Sequence, residues 1–265
     1  MPNNYIAGEW LYARKVAANV NPSDTRDVIG EYAQASAADA KLAIDAAHGA
    51  FAAWSRSTIQ ARHDILKSVG DELLARKDEL GRLLSREEGK ILPEGVGEVT
   101  RAGQIFHYFA GECLRLSGDK LGSVRAGVDI EITREPVGVV GLITPWNFPI
   151  AIPAWKIAPA IAYGNTVVFK PAELVPASAH ALCDIIVRAG LPSGVFNLVM
   201  GSGGVVGEAM LSSEGGGDLL HRLRSYRPAS GPVLHLCRSD EEDAVGDGRQ
   251  KSNGGARRRR SEARR

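Results

Sequence analysis

The sequence predicts an α/β fold: an incomplete doubly wound parallel sheet with a helical N-terminal lead-in and a disordered tail. Continuous apolar runs at Val137–Ile143 and Thr166–Phe169 are typical of strands that are covered on both faces. Helical segments with short connections separate these runs from a third strand at Val195–Val199. Alternation of strands and helices favours a parallel sheet. After Leu211 no apolar period is sustained, as is typical of disorder.

The lead-in contains helical patterns after a short antiparallel strand pair. Tyr5–Trp10 and the turn residues from Asn21 predict the strand pair. Ser36 is a cap-like residue before an alanine-rich helix that runs to Trp54. Three more helices are predicted, over Ile59–Ala75, over Lys77–Glu88 with Gly89 as its stop, and from Pro93 to about Ser117. Val128–Arg134 alternates as a half-exposed strand does.

The second half of the chain carries the remaining helices of the predicted α/β region. They are expected over Pro153–Tyr163 and Ala177–Ala189, with a helix start at Val205–Leu211. We therefore divide the chain into residues 1–211, a partial nucleotide-binding domain, and residues 212–265, the tail.

Composition excludes several classes of function. The chain has 265 residues, 44% of them apolar, and a formal net charge of +1. Its three cysteines and six histidines show neither a disulfide framework nor metal-ligand spacing, so we expect no metal site. The first 211 residues hold 20 basic and 23 acidic residues, which predicts neither a nucleic-acid nor a membrane partner. No apolar run is long enough to span a bilayer, and a cytoplasmic location is expected.

One long segment resembles a known family. Gly141–Pro149 reads G-L-I-T-P-W-N-F-P, and the match continues to K-P-A-E at Lys170–Glu173. This stretch resembles the nucleotide-binding core of the NAD(P)-dependent aldehyde dehydrogenases, and the resemblance extends over residues 1–211. It implies oxidation of an aldehyde to the acid, in which a cysteine thiolate attacks the carbonyl and hydride passes from the thiohemiacetal to NAD(P). Intact relatives are homo-oligomers, whereas the assembly of this chain stays open.

The resemblance assigns roles to particular residues. It implies that Asn147 donates its side-chain amide to the developing oxyanion; the alternative for an Asn two residues before Pro is a turn former. Lys170 and Glu173 follow a buried strand, where open α/β sheets bind ligands. The resemblance implies that they bind the adenosine ribose, and the carboxylate favours NAD over NADP. The other residues implied to line the cofactor cleft are Ile143, Thr144, Pro145, Trp146, Gly203 and Gly207.

Gly203 and Gly207 belong to a Gly-rich segment that follows a strand and opens a helix. Such a segment is by itself a weak match to a phosphate loop, because Gly-rich turns are common. The resemblance implies that this loop packs around the adenine and that the two glycines permit close approach.

The catalytic cysteine and the general-base glutamate of the family are not matched. Cys113 and Cys183 lie in predicted helices, where a small buried apolar side chain is the expected role. Cys237 lies in the tail, and none of the three has the family's G-Q-x-C setting. We therefore expect the chain to be catalytically inactive as written.

A displaced reading frame explains the tail. Permitted codons for Asp218–Leu223, read one base later, give I-S-F-T-G, the family's next strand-and-turn motif. The same operation on Val245–Arg259 gives L-E-M-G-G-K-N-P-M-V-V-L-D-D, which resembles the family segment with its general-base glutamate. The frame change is either real or a sequencing artefact.

Two other functions stay open at this stage. The chain could hold NAD without catalysis, which an open sheet edge disfavours. It could also bind nucleic acid through Arg257–Arg260, which the acidic run at Asp240–Asp243 and the lack of interleaved aromatic residues disfavour. Within the family, Asn4–Trp10 and Arg86–Val99 resemble the branch that oxidises short semialdehydes, such as 2,5-dioxopentanoate and succinate semialdehyde.

Overall fold

The fold is a mixed sheet with helices on both faces. A computed structural model describes residues 3–213 and the backbone of residues 234–238. The strands are β1 (Asn4–Ile6), β2 (Glu9–Leu11), β3 (Val16–Val20), β4 (Val28–Ala33), β5 (Asp119–Gly122), β6 (Asp129–Ile132), β7 (Val139–Ile143), β8 (Thr166–Lys170), β9 (Phe196–Leu198) and β10 (Leu234–Arg238). The helices are α1 (Ala37–Trp54), α2 (Ile59–Ala75), α3 (Lys77–Glu88), α4 (Leu92–Leu114), α5 (Ala151–Ala162), α6 (Pro176–Arg188) and α7 (Glu208–Leu211).

The main sheet confirms the predicted α/β class. Its strand order is β10-β7-β8-β9-β1-β2, and the first four strands are parallel. β1 joins β9 antiparallel and pairs with β2, so the N-terminal strand pair extends the sheet at its far edge. The sequence pattern did not predict this extension, because the pairing joins strands almost 200 residues apart. Only the folded chain brings them together.

The central strand β8 explains why the apolar runs are continuous. All five of its residues are buried, and its side chains alternate between two separate apolar cores. Val167 and Phe169 pack with α2, α4, α5 and α6 on one face, whereas Val168 packs with α1 and α7 on the other. Helices on both faces of parallel strands define a doubly wound sheet.

The lead-in helices follow the local sequence signals closely. α1 begins at a capping box in which Ser36 Oγ accepts from Asp39 N at 3.3 Å and Ser36 N donates to Asp39 Oδ2 at 2.8 Å. α3 ends at Gly89, whose φ of 89° lies in the left-handed region that glycine adopts without strain. α2 and α3 pack against α4, which carries the lead-in onto α5.

Two segments differ from the sequence-based expectation. β6 is exposed along its whole length rather than half-exposed, because it pairs only with β5, a strand that the sequence pattern missed. Residues 234–238, within the segment predicted to be a disordered tail, form β10 and pair in parallel with β7. The edge of β7 that we expected to be open is therefore covered. Residues 214–233 and 239–265, including the two segments matched by the displaced frame, lie outside the described residues.

Candidate functional site

The two predicted site segments meet at the carboxyl edge of the sheet. Ile143 and Lys170 are the last residues of β7 and β8, and they pair directly across the parallel ladder. One residue beyond, Thr144 N donates to Lys170 O at 3.3 Å. β10 lies on the other side of β7, so the chain reverses its direction of winding between β7 and β10. Crevices at such reversals are where open α/β sheets bind ligands.

The loop between β7 and α5 carries Asn147 and is anchored from the lead-in. Thr144 and Pro145 are buried, Asn147 is half-buried, and Trp146 is exposed. Lys90, between α3 and α4, donates from Nζ to Asn147 O at 3.1 Å. The same ammonium lies 4.4 Å from the centroid of the Phe148 ring, within cation–π range.

Glu98 of α4 connects this lysine to the start of α5. Its side chain is 1% exposed, and Oε2 accepts from Lys90 Nζ at 2.7 Å. The other oxygen, Oε1, accepts from Ile150 N at 2.9 Å and Ala151 N at 3.1 Å. These amides have no partner within their own helix, so a carboxylate from α4 caps α5. The cap also explains why α5 begins at Ala151, two residues before the predicted Pro153.

Lys90 is held as a cation by its surroundings. Burial alone would lower the pKa of Lys90, but hydrogen bonds to Glu98 and Glu88 raise it above the ordinary value. Glu88 Oε2 lies 3.0 Å from Lys90 Nζ. The lysine therefore stays charged across the physiological range.

The loop between β8 and α6 carries Lys170 and Glu173. The side chain of Lys170 is buried, and its Nζ donates to Pro171 O at 3.0 Å. Glu173 is exposed. Asn19 of β3 donates from Nδ2 to Leu174 O at 3.0 Å, which ties the loop to the N-terminal hairpin.

Glu87 of α3 caps α6 in the way that Glu98 caps α5. Its residue is 3% exposed, and its carboxylate accepts from Ala177 N at 2.6 Å and Ser178 N at 2.9 Å. Pro176, the first residue of α6, has no N–H, so Glu87 binds the first two amide donors of the helix. Burial raises the pKa of Glu87 to about 7, although hydrogen bonds from Ser178 and Ala177 oppose the rise.

The Gly-rich segment after β9 forms one π-helical turn, Gly203–Gly207, that leads into α7. A Cβ atom at Gly203 or Gly207 would meet no protein atom within 4 Å. The packing of the described residues therefore does not require glycine at either position, which leaves open space for a ligand. The sequence pattern predicted a helix start here without the π turn.

The two cysteines with described side chains are unsuited to nucleophilic attack. Cys113 and Cys183 are both buried, at 1% and 0% exposure. Burial raises the pKa of Cys113 to about 11 and the pKa of Cys183 well above its ordinary value. A nucleophilic cysteine needs an accessible thiolate. Within residues 3–213 no group of His, Cys, Asp and Glu side chains could hold a metal ion.

No helix in the described part of the chain combines the length and apolar character needed to cross a membrane.

Sequence reasoning proposed two site loops, which the structure brings to one edge of the sheet, but it did not name the residues that hold them. Glu87, Lys90 and Glu98 lie in the segment R-E-E-G-K-I-L-P-E-G-V-G-E-V. The family resemblance linked this segment only to the branch that oxidises short semialdehydes. No local signal in the sequence separates them from charged residues on a helix surface. Their role follows from burial, because a buried charge needs a partner. Lys90 binds Glu88, Glu98 and the Asn147 carbonyl, and the two glutamates bind the amides at the starts of α5 and α6.

Comparison with known sequences identifies the family. Residues 10–216 match the Aldehyde dehydrogenase family. The chain is 44% identical over 214 residues to an α-ketoglutarate semialdehyde dehydrogenase of Haloferax volcanii, covering 80% of this chain and 44% of that protein. It is 40% identical over 209 residues to an NADP⁺ succinate-semialdehyde dehydrogenase of Escherichia coli, covering 78% and 43%.

Solved structures agree with the sequence matches. An NADP-dependent enzyme of E. coli superposes with a TM-score of 0.77 at 39% identity, covering 80% of this chain and 44% of that one. A betaine aldehyde dehydrogenase of Staphylococcus aureus in complex with NAD⁺ also gives 0.77, at 33% identity, covering 80% and 43%. The chain thus spans less than half the length of the relatives it matches. The chain belongs to the aldehyde dehydrogenase family.

Proposed function

We propose that residues 1–211 are the cofactor-binding and oxyanion-donating part of a dehydrogenase that oxidises a short semialdehyde. We propose further that the chain as written holds the dinucleotide without turning substrate over, and that residues 212–265 contribute no catalytic group. The single observation that carries the proposal is the pairing of Ile143 with Lys170, which brings the two family motifs together at the carboxyl edge of the sheet.

The described residues suit a dinucleotide. Lys170 and Glu173 lie in one loop and would bind the hydroxyls of the adenosine ribose, whereas the open space beside Gly203 and Gly207 would take the adenine. Ile143, Thr144, Pro145 and Trp146 would line the cleft between them. The exposed carboxylate of Glu173 would repel a ribose phosphate, so NAD is preferred over NADP. When bound, the cofactor accepts hydride.

Asn147 is the proposed oxyanion donor. Its backbone carbonyl is held by Lys90, and the first turn of α5 is held by Glu98, so the loop on both sides of the side chain is anchored. A donor that is fixed before the reaction needs no reorganisation when charge develops on the substrate oxygen. Semialdehyde oxidation is the activity in the names of the H. volcanii and E. coli relatives.

The proposed lack of turnover rests on the cysteines. Cys113 and Cys183 are buried thiols with raised pKa values, and both lie inside helices, α4 and α6, rather than in the loops that follow β7 and β8. Incubation of the purified chain with NAD and 2,5-dioxopentanoate, followed at 340 nm, should give no NADH above a heat-denatured control. Sustained NADH formation would contradict the proposal.

Cofactor binding is tested by calorimetry. We expect micromolar binding of NAD that Lys170→Ala abolishes, because the buried lysine is the proposed ribose ligand. Lys41→Ala is the matched control, since Lys41 pairs with Asp45 on the outer face of α1 and lies in no proposed site. Equal affinity of the native chain and the Lys170→Ala variant would exclude Lys170 from the site.

The reading frame is tested at the gene. A read that stays in phase across the codons for Leu211–Gly217 and gives I-S-F-T-G would show that the polypeptide continues as a complete enzyme. A confirmed frame change would leave the half-site as the functional part.

A further inference from the structure

Two buried glutamates of the lead-in repeat one arrangement. Each belongs to a helix outside the α/β region, and each carboxylate accepts two backbone amides at the start of a helix that follows a site loop. Glu98 caps α5, three residues after Asn147, and Glu87 caps α6, four residues after Glu173. Neither α5 nor α6 has a capping side chain of its own.

The geometry of the caps restricts the loops as well as the helices. A loop that joins a strand end to a helix start is fixed at both termini when both are held. β7 and β8 fix the first ends through the sheet ladder, with Thr144 N bonded to Lys170 O at 3.3 Å. The glutamates fix the second ends from the opposite side, and Lys90 adds a bond inside the Asn147 loop at 3.1 Å.

We propose that Glu87 and Glu98 are positioning residues, Glu87 for the ribose-binding loop at Lys170–Glu173 and Glu98, with Lys90, for the oxyanion-donor loop at Asn147. The assignment rests on the proposed function for the roles of those loops. The proposal makes the helical lead-in a part of the site, because each glutamate of the lead-in fixes the conformation of one loop and has no effect on the other. Removing one carboxylate frees two buried amides and one loop end.

The experiment is a crossed comparison of Glu87→Leu and Glu98→Leu in the whole chain. Each variant removes the acceptor without leaving a new polar group. The ribose loop is read by the affinity for adenosine monophosphate, a probe that carries only the adenosine half of the cofactor. The oxyanion loop is read by the Asn147 side-chain amide resonance in ¹⁵N-edited spectra, assigned by its loss in Asn147→Ala.

We expect each variant to move one readout. Glu87→Leu should weaken adenosine monophosphate binding by about tenfold, or about 1.4 kcal/mol, and leave the Asn147 resonance in place. Glu98→Leu should shift or broaden the Asn147 resonance and change the affinity by less than about twofold. Ser36→Ala, which removes the side-chain cap of α1, is the matched control and should move neither readout.

General loss of stability gives a different result. If both leucine variants alter both readouts equally, or neither, while the protein stays folded, the positioning roles are wrong. If a leucine variant does not fold, the corresponding glutamine variant replaces it. Glu87→Gln leaves one acceptor oxygen for two amides that bind separate oxygens of Glu87. Glu98→Gln keeps an oxygen for its two amides but loses the oxygen that accepts from Lys90. The same crossed pattern at smaller amplitude supports the proposal, and its absence overturns it.

Failure of the proposed function can be distinguished from failure of the positioning roles. If the native chain binds neither NAD nor adenosine monophosphate, the cofactor assignment fails. The positioning roles are then read by hydrogen exchange at the Val175 amide, which donates to Ala172 O at 3.3 Å and which Glu87→Leu alone should accelerate, and by the Asn147 resonance. Unchanged exchange in Glu87→Leu would overturn the role of Glu87.

Discussion

At each of the two loop–helix junctions a buried carboxylate accepts two backbone amides, but the two junctions differ in charge. At the α5 junction, Glu98 accepts both amides on Oε1, and Oε2 is paired with Lys90 at 2.7 Å. At the α6 junction, Glu87 accepts one amide on each oxygen, and within residues 3–213 no lysine or arginine lies within ion-pair distance of it. Burial then raises the pKa of Glu87 to about 7.

The difference shows that a backbone cap satisfies hydrogen bonding without compensating charge. Two amides and a helix N-terminus favour the charged form of the carboxyl group, but the loss of its hydration on burial disfavours that form by more. A nearby lysine supplies the missing compensation at one junction, and a proton supplies it at the other. The oxyanion-donor loop is therefore held by a fixed ion pair, whereas the hold on the ribose-binding loop depends on pH.

Removing the lysine should produce the largest change. Lys90→Met leaves Glu98 buried without a counter-charge, and we expect the free energy of unfolding to fall by about 3–5 kcal/mol. Urea denaturation followed by circular dichroism measures it. The double variant Lys90→Met/Glu98→Gln should lose less than the single variant, because only Glu88, and no longer Glu98, is left without its lysine partner. A double variant less stable than Lys90→Met would contradict the ion-pair account.

The pH dependence of Glu87 should be the next largest effect. The pKa of Glu87 in the folded chain, about 7, exceeds its ordinary value of 4.5, so the folded state binds the proton more tightly. Stability from this group is present below pH 4.5 and is lost as the pH rises to 7, by about 3 kcal/mol. Urea titrations at several pH values should show this loss in the native chain relative to Glu87→Gln. Parallel curves would mean that Glu87 does not titrate in this range.

A single neutral bond in the ribose-binding loop should matter less. Asn19→Ala removes the bond from Asn19 Nδ2 to Leu174 O, and we expect a loss of about 1 kcal/mol in unfolding free energy. The affinity for NAD should fall with it, because the loop loses its tie to β3. Calorimetry at equal folded fractions separates the two effects. Unchanged affinity would show that the bond from Asn19 does not position the loop.

The smallest effect is expected at an exposed ion pair. Lys41 Nζ lies 2.7 Å from Asp45 Oδ2, as close as Lys90 lies to Glu98, but both side chains are exposed. Lys41→Met should change the free energy of unfolding by less than about 0.5 kcal/mol. Measured beside Lys90→Met, it isolates the contribution of burial. Similar losses in the two variants would mean that burial is not the cause.

Local signals in the sequence were enough for most of the fold. The capping box at Ser36, the stop at Gly89 and the continuous apolar runs of β7 and β8 each depend on residues near one another in the chain. The order of the strands in the sheet could not be predicted from such local signals. β1 beside β9 and β10 beside β7 are pairings between distant segments, and β5 has no strong alternation of its own.

The candidate site was also predicted only in part: the sequence indicated its loops but not the residues that support them. The loops at Asn147 and Lys170 follow buried strands, and this placement, together with the family resemblance, made them the candidate site loops. Their supports could not be assigned, because Glu87 and Glu98 have the pattern of ordinary helix-surface acids when only their own helices are considered. Their burial depends on how α3 and α4 pack against α6 and α5.

The sequence by itself determined the α/β class, the boundaries of α1, α2 and α3, and the residue types at the carboxyl edge of the sheet, because helix caps, turns and apolar periodicity act over a few residues. The tertiary structure decided which carboxylate holds which loop, and which of the two carries a counter-charge. Those outcomes depend on burial and on contacts between segments about 50 to 90 residues apart. Burial and distance set the strength of a charge interaction, and both exist only in the folded chain.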